Sequence, residues 1–233
     1  MNSFPRGDLA VVVGSAGGIG SACVRALAGC GSFAATVGLG RTSSPPLDLA
    51  DEASIVGCAE AVARLGKPRL ILVATGVLHS ERMQPEKSLR ELDPAVLAEA
   101  FAVNTIGPAL VMKHFLPLLA RDGKAVFATL SARVGSIGDN RLGGWYSYRA
   151  SKAALNQLVH TAAVELSRRQ PEAICVALHP GTVDTRLSAP FGKSGLDVRS
   201  PEAAAESLLG VIDRLSAADS GGFFDQHGEC VPW

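Results

Sequence analysis

The sequence has no excess of either charge, because 22 basic residues balance 22 acidic ones in a chain of 233. Its longest run of basic residues is the pair Arg168 and Arg169. Such a chain has no field that would draw it to nucleic acid or to an anionic membrane surface. We therefore predict that neither nucleic acid nor a membrane is a partner.

Cysteine is scarce, and its spacing is irregular. The five cysteines are an odd number without a CxxC pair, which argues against both a disulfide framework and a zinc site. The five histidines show neither HxxxH nor HExxH spacing, so we predict no metal site. The first apolar run, residues 9–13, is too short for a signal peptide or membrane anchor, and a reducing cytoplasm is the expected location.

Apolar residues are abundant, at 47% of the chain, and they come in short runs separated by longer helical patterns. Continuous apolar runs alternating with helices are typical of a parallel sheet that is covered on both faces. The pattern predicts a doubly wound α/β domain, in which ligands bind beyond the carboxyl ends of the strands. Strands are expected at residues 9–14, 33–40, 69–76, 124–131, 174–181 and 221–225, and helices at 19–29, 54–66, 94–123, 148–169 and 201–216.

A glycine-rich turn joins the first predicted strand to the first helix. Gly14, Gly18 and Gly20 stand there with GxxxGxG spacing in "VVVGSAGGIGSA". Glycine permits a tight turn and lets the backbone approach a diphosphate, which the amides of the helix N-terminus can then bind. The motif predicts a nicotinamide dinucleotide site, although a glycine-rich turn without a ligand remains an alternative.

Two polar residues follow the second predicted strand, where the adenosine part of a dinucleotide would lie. An acidic residue there would bind a ribose 2′-hydroxyl, whereas Arg41 suits a 2′-phosphate through forked hydrogen bonds. This favours NADP(H) over NAD(H) as cofactor, with a solvated surface arginine as the alternative. Asp48 either accepts a hydrogen bond from adenine or helps to start the next helix.

Tyr148 and Lys152 are four residues apart in a strongly helical stretch, so both side chains lie on one helix face. A free phenol titrates near pH 10, and a neighbouring ammonium should lower its pKa. The pair would then serve as a general acid for a carbonyl that is being reduced. Tyr146, by contrast, has no lysine four residues later.

These motifs, together with Asn104 in "FAVNTIGP" and the segment "HPGTVDT" at 179–185, resemble the short-chain dehydrogenase/reductase family over essentially the whole chain. "GGWYSYRASKAALN" and "FFDQHGECVPW" resemble its C-factor-like or sniffer-like carbonyl reductase branch. The resemblance implies that Asn104 extends a proton relay through Lys152. It also implies a cofactor-binding set of Gly14, Ser15, Gly18, Ile19, Gly20, Arg41, Asp48, Leu49, Ala74, Thr75, Gly76, Asn104, Tyr148, Lys152, Pro180, Gly181, Val183 and Thr185.

The sequence departs from the family at two places. Thr75 replaces an asparagine that helps to fasten the sheet, and Ala132 stands where an ungapped comparison puts the catalytic serine. Ser131 is our first candidate for that serine, although alternation along a strand could turn its hydroxyl away. Ser136, in the irregular segment that follows, is the alternative, and a water or a backbone amide could replace both.

The expected protein is one Rossmann-type doubly wound domain over residues 1–233, with a mostly seven-stranded parallel sheet flanked by helices. Its expected function is NADP(H)-dependent hydride transfer to or from a small carbonyl or alcohol substrate. Segment 184–200 is the candidate substrate loop, and the family implies a homodimer or homotetramer. The alternative is a nucleotide-binding signalling protein of the same fold with weak or no turnover.

Overall fold

The computed structural model describes residues 1–189 and 197–233. Residues 190–196, in the middle of the predicted substrate loop 184–200, lie outside the described residues. Within the described part, eight apolar segments form the strands β1 (Leu9–Val13), β2 (Ala35–Leu39), β3 (Pro68–Val73), β4 (Ala125–Leu130), β5 (Ala173–Leu178), β6 (Thr182–Val183), β7 (Val198–Arg199) and β8 (Phe223–Phe224).

Six of these strands form one parallel sheet in the order β2-β1-β3-β4-β5-β8. Strands β6 and β7 pair with each other in a separate, short parallel ladder. The chain leaves β1 to build β2 on one side and then returns to build β3 on the other. The order therefore reverses between β1 and β3, which opens a crevice at their carboxyl ends.

The predicted number of about seven strands is wrong, since the main sheet has six in the described part of the chain. Strand β2 forms one edge of the sheet, and residues 40–51 connect it directly to the next helix. Pro45 and Pro46 lie in this connection, and proline has no amide hydrogen to donate to a neighbouring strand. The connection is therefore poorly suited to add a strand beside β2.

Helices cover both faces of the sheet, as the continuous apolar strands predict. They are α1 (Gly18–Gly29), α2 (Glu52–Leu65), α3 (Pro94–Phe101), α4 (Gly107–Phe115), α5 (Tyr146–Ser167) and α6 (Pro201–Arg214). Helices α1 and α6 share a core with Ala10 and Val12 of β1, whereas α2, α4 and α5 share the other core with Val11 and Val13. This two-sided burial confirms the predicted α/β class with a doubly wound sheet.

The long helical region predicted at residues 94–123 is continuous from Pro94 to Leu118 but is not one regular α-helix. Between α3 and α4 lies a wider π-type turn, Ala102–Ile106, and a 3₁₀ turn ends the run. By length and composition alone this run could cross a membrane. In the fold, however, Val111 and Phe115 are fully buried in the core beside the sheet.

Candidate active site

The glycine turn after β1 has a backbone that only glycine can supply. Gly14 has a φ of +88°, and a Cβ there would lie 2.7 Å from the carbonyl oxygen of Ala74. A Cβ on Gly20 would press into the carbonyl group of Gly14. Helix α1 begins with neither a side-chain cap nor an acidic residue in its first turn, so its N-terminal amides are available to an anion.

A cavity of about 470 Å³ opens beside this turn, at the carboxyl ends of β1, β2 and β3. It brings together seven residues that the sequence assigns to the cofactor, namely Gly14, Arg41, Asp48, Leu49, Ala74, Thr75 and Gly76. Eight lining residues were not predicted, namely Val13, Ala16, Gly17, Gly40, Thr42, Leu47, Val77 and Val103. Most of them are sequence neighbours of predicted residues, which is the signal that could have identified them. Leu47 precedes Asp48 and also donates its amide to the oxygen of Gly40.

Other predicted cofactor residues lie around the start of α1. The hydroxyl of Ser15 donates to the oxygen of Leu39 at 3.2 Å and so ties the turn to β2. A Cβ on Gly18 would lie 2.8 Å from the methyl group of Thr185, which shows that Thr185 reaches the N-terminus of α1. Ile19 instead packs against the core between the sheet, α1 and α6.

The predicted nicotinamide border follows β5. Gly181 has a φ of +77° and packs against Gln226, while Val183 is buried in β6. Pro180, Gly181 and Val183 are not among the residues that line the cavity.

The sequence left open whether Asp48 binds adenine or starts helix α2. The carboxylate of Asp48 lines the cavity and accepts the amide of Ala50 at 3.0 Å, within the connection. Helix α2 is capped by Asp51, which accepts the amide of Ala53 at 3.0 Å. The helix-starting role therefore belongs to Asp51.

The residues around the cavity fit the dinucleotide that the sequence predicts. The glycine cradle is closed to side chains, and the helix amides beside it are available. The hydroxyl of Thr75 is buried without a hydrogen-bond partner in the described structure, although it belongs to a cavity-lining residue. A buried hydroxyl without a partner is costly, so a polar ligand in the cavity would satisfy it.

Lys152 is almost fully buried, with 2% of its surface exposed, and its Nζ donates to the oxygen of Leu130 at the end of β4 at 2.8 Å. Burial disfavours the ammonium form and lowers the pKa of Lys152 to about 7. The side chain of Lys152 therefore changes between its ammonium and neutral amine forms near neutral pH.

Tyr148 lies one turn before Lys152 on the same face of α5, with the lysine Nζ 6.0 Å from its ring centre. Burial raises the pKa of Tyr148 well above its ordinary value. The sequence-based expectation that Lys152 lowers this pKa is therefore wrong for the free protein. Desolvation of the phenolate is the larger effect, and the same desolvation weakens the neighbouring positive charge.

Asn104 stands in the π-type turn between α3 and α4. Its Oδ1 accepts the amide of Val77 at 2.8 Å, and its Nδ2 donates to the oxygen of Val77 at 2.8 Å and to the hydroxyl of Ser151 at 3.1 Å. A Cβ on Gly76 would lie 3.4 Å from Oδ1 of Asn104 and 3.5 Å from Nζ of Lys152. The fold thus brings Asn104, Lys152 and Gly76 together, with Tyr148 one turn away.

The hydroxyl of Ser131 bonds a turn of α5 that follows the one carrying Tyr148. It donates at 2.6 Å to Oδ1 of Asn156, which is eight residues, or about 12 Å of helix rise, beyond Tyr148. Alternation at the strand end is the physical reason, as Ser131 points toward the later turns of α5. This hydrogen bond engages the Ser131 hydroxyl, and its role as the catalytic serine stays a prediction.

Ser136 lies next to a residue that packs on the turn of α5 that carries Lys152. It follows Gly135, where a Cβ would lie 2.7 Å from Cβ of Lys152. The hydroxyl oxygen of Ser136 accepts a hydrogen bond from the amide of Asp139 at 3.0 Å, and the Ser136 side chain is buried.

A smaller cavity of about 290 Å³, lined among others by Asn156, His160 and Trp233, lies along α5. Its lining includes none of Tyr148, Lys152 and Asn104. Among residues 1–189 and 197–233, no cluster of three or more His, Cys, Asp or Glu side chains could hold a metal ion. Asn104 and Lys152 instead lie beside Gly76, which lines the larger cavity.

Comparison with known proteins shows which family and relatives this chain resembles. A family model described as enoyl-(acyl carrier protein) reductase matches residues 14–211. The C-signal protein of Myxococcus xanthus is 37% identical over 147 residues, covering 63% of this chain and 84% of that protein. The 1-hydroxy-2-glutathionyl-2-methyl-3-butene dehydrogenase of Rhodococcus sp. (strain AD45) is 34% identical over 194 residues, covering 83% of this chain and 81% of the relative.

Solved structures agree with the sequence comparisons. The carbonyl reductase from chicken fatty liver, determined with NADPH bound, has a TM-score of 0.85 and 25% identity, with 99% of this chain and 96% of that chain covered. The carbonyl reductase Sniffer of D. melanogaster shares the fold with a TM-score of 0.84 at 21% identity, covering 98% of this chain and 100% of that one. As its motifs predict, the chain belongs to the short-chain dehydrogenase/reductase family.

Proposed function

We propose that this oxidoreductase is an NADP(H)-dependent carbonyl reductase that acts on a small aldehyde, ketone or quinone. The observation that carries the proposal is the meeting of Asn104 and Lys152 at Gly76, with Tyr148 one turn away. The NADPH-bound carbonyl reductase with the same fold supports the choice of reaction. When bound, the cofactor supplies the hydride, and this chain supplies binding, orientation and the proton.

Tyr148 is the proposed proton donor. Because burial raises its pKa, the phenol keeps its proton at neutral pH and holds it one turn from Lys152. As the carbonyl carbon of the substrate gains hydride, the carbonyl oxygen takes the phenol proton and an alcohol forms. Lys152 orients the cofactor ribose and stabilises the resulting phenolate, and Asn104 fixes the loop after β3 through Val77.

Three further properties belong to the proposal. Arg41 lines the cavity beyond β2 and supports a preference for NADP(H). Exposed apolar side chains on α5, Leu158 and Val164, support a homodimer or homotetramer. All five cysteines are free thiols, which suits a reducing cytoplasm.

A second candidate function is a nucleotide-binding signalling protein with little turnover. It is favoured by the relative named C-signal, which is 37% identical to this chain. Under this reading, the protein would bind NADPH without reducing any carbonyl compound.

Replacement of the proposed proton donor separates the two candidates. We expect Tyr148→Phe to lower kcat by about 10²- to 10⁴-fold, because the proton donor is lost, and to leave the Kd of NADPH within about twofold. The measurement is NADPH oxidation with a panel of aldehydes, ketones and quinones, and Tyr146→Phe is the matched control. Wild-type protein that binds NADPH but reduces no member of the panel would support the signalling candidate instead.

The pH dependence of NADPH use tests the role of Lys152. Its pKa of about 7 means that the ammonium is present below neutral pH and lost above it. We expect kcat/KM for NADPH, which reports the free enzyme, to fall by about tenfold per pH unit above the pKa of Lys152. The variant Lys152→Arg stays charged, so its alkaline decline should move above about pH 10. Identical profiles for the two proteins would contradict this role.

Arg41 tests the cofactor preference. Loss of a charge-assisted forked bond of about 1.5–3 kcal/mol should raise the Kd of NADPH by about 10- to 100-fold in Arg41→Ala, with little change for NADH. The measurement is a fluorescence titration with both nucleotides, and the exposed Arg168→Ala is the control. Equal affinities of the wild type for NADPH and NADH would remove the basis of the preference.

The two serines are tested as a pair. The sequence favours Ser131, but the hydrogen bond from Ser131 to Asn156 moves our proposal to Ser136 as the hydroxyl that orients the carbonyl. We expect Ser136→Ala to lower kcat by at least about tenfold and Ser131→Ala by less than about threefold. The reverse order would return the role to Ser131, and two unaffected variants would exclude both hydroxyls.

A further inference from the structure

The loop between β3 and α3 carries a buried carboxylate that the proposed reaction does not use. Glu86 is only 3% exposed, and no ion pair to it is found among the described residues. A buried charge is costly unless hydrogen bonds satisfy it, so its partners must matter to the structure.

Those partners all lie at the start of α5. Oε2 of Glu86 accepts the amide of Ser147 at 3.1 Å, and Oε1 accepts the hydroxyl of the same serine. The main-chain oxygen of Glu86 also accepts the amide of Trp145. Three hydrogen bonds therefore join one loop residue to the two positions on either side of Tyr146, immediately before Tyr148.

Helix α5 needs such a partner because it has no cap of its own. Its N-cap residue is Trp145, whose side chain has a donor but no acceptor, and no acidic residue follows in the first turn. The backbone before it is also unusual, with a φ of +65° at Gly144 and +53° at Trp145. The carboxylate of Glu86 satisfies an N-terminal amide of α5 and complements the positive end of the helix dipole.

Arg149 makes further hydrogen bonds around the same turn. The guanidinium group of Arg149 donates to the oxygen of Gly144 at 2.9 Å and to the oxygen of Val134 at 3.2 Å. The amide of Ser147 donates instead to the carboxylate of Glu86, which lies 61 positions earlier in the chain.

We propose that Glu86 is the positioning residue of Tyr148. Its carboxylate caps α5 from the loop after β3 and sets the direction in which the tyrosine presents its hydroxyl. The loop begins at the cavity, which Gly76 and Val77 line, so Glu86 links the chain segment beside the cavity to the proposed proton donor. The inference rests on the proposed function for its effect on turnover, but the cap itself does not.

The experiment compares Glu86→Ala, Glu86→Asp and Glu86→Gln with the wild type. Glutamine can accept the Ser147 amide and donate to the Ser147 hydroxyl, whereas alanine has no acceptor and aspartate is one methylene shorter. Glu91→Gln is the matched control, because Glu91 is an exposed acid of the same loop. Hydrogen exchange at Ser147 and Tyr148 reports the cap, and kcat, KM and the Kd of NADPH report the reaction.

We expect amide exchange at Ser147 to be at least about tenfold faster in Glu86→Ala and Glu86→Asp and unchanged in Glu86→Gln. The kcat should fall by about 10- to 100-fold in the first two, with the Kd of NADPH within about twofold, because a small misplacement of the acid slows only the chemistry. Glutamine should restore kcat to within about threefold.

If Glu86 had only a structural role, Glu86→Ala would lower stability and leave kcat per folded molecule unchanged. That result would overturn the proposal. If the alanine variant does not fold, the contrast between aspartate and glutamine decides in the same way. If the wild type has no reductase activity, the proposed function fails. Unchanged exchange at Ser147 in Glu86→Asp would instead show that the cap itself is absent.

Discussion

The burial of the Lys152 ammonium at the end of β4 is the constraint on which the site depends. A buried lysine needs a hydrogen-bond acceptor, and the oxygen of Leu130 supplies one at 2.8 Å. This bond holds α5 against the carboxyl end of the sheet. Lys152 also lies close to Gly135 and Gly76, where the Cβ of any other residue would contact it. Two chain segments can approach Lys152 closely because each has a glycine at the point of contact.

The predictable features are those that follow from residues close together in the sequence. The turn at Gly14 needs a positive φ, the spacing of Tyr148 and Lys152 is one helical turn, and apolar runs alternate with helical patterns. Each is a local rule, so the doubly wound order and seven of the residues around the cavity could be predicted. Helix α6 illustrates the limit for boundaries, because it ends at Arg214 and not at residue 216.

The features that escaped prediction depend on partners that are distant in the chain. The acceptor of the Ser131 hydroxyl, Asn156, is 25 residues away on a helix face that no strand pattern specifies. In the sequence, Glu86 looks like an ordinary exposed charge of a loop, yet its carboxylate is buried against α5. Burial and tertiary contact decided each of these outcomes.

Burial also changes the pKa values of Tyr148 and Lys152. From spacing alone, Lys152 should lower the pKa of Tyr148, but burial drives both groups toward their neutral forms. A neutral pair avoids an unpaired charge in the core and keeps the proton on the phenol, where a reductase needs it. Once the phenol gives up its proton, the new phenolate raises the pKa of Lys152 one turn away and so favours the ammonium form on which the pH dependence above rests. Under the proposed function, the raised pKa of Tyr148 suits a proton donor to a carbonyl that is being reduced.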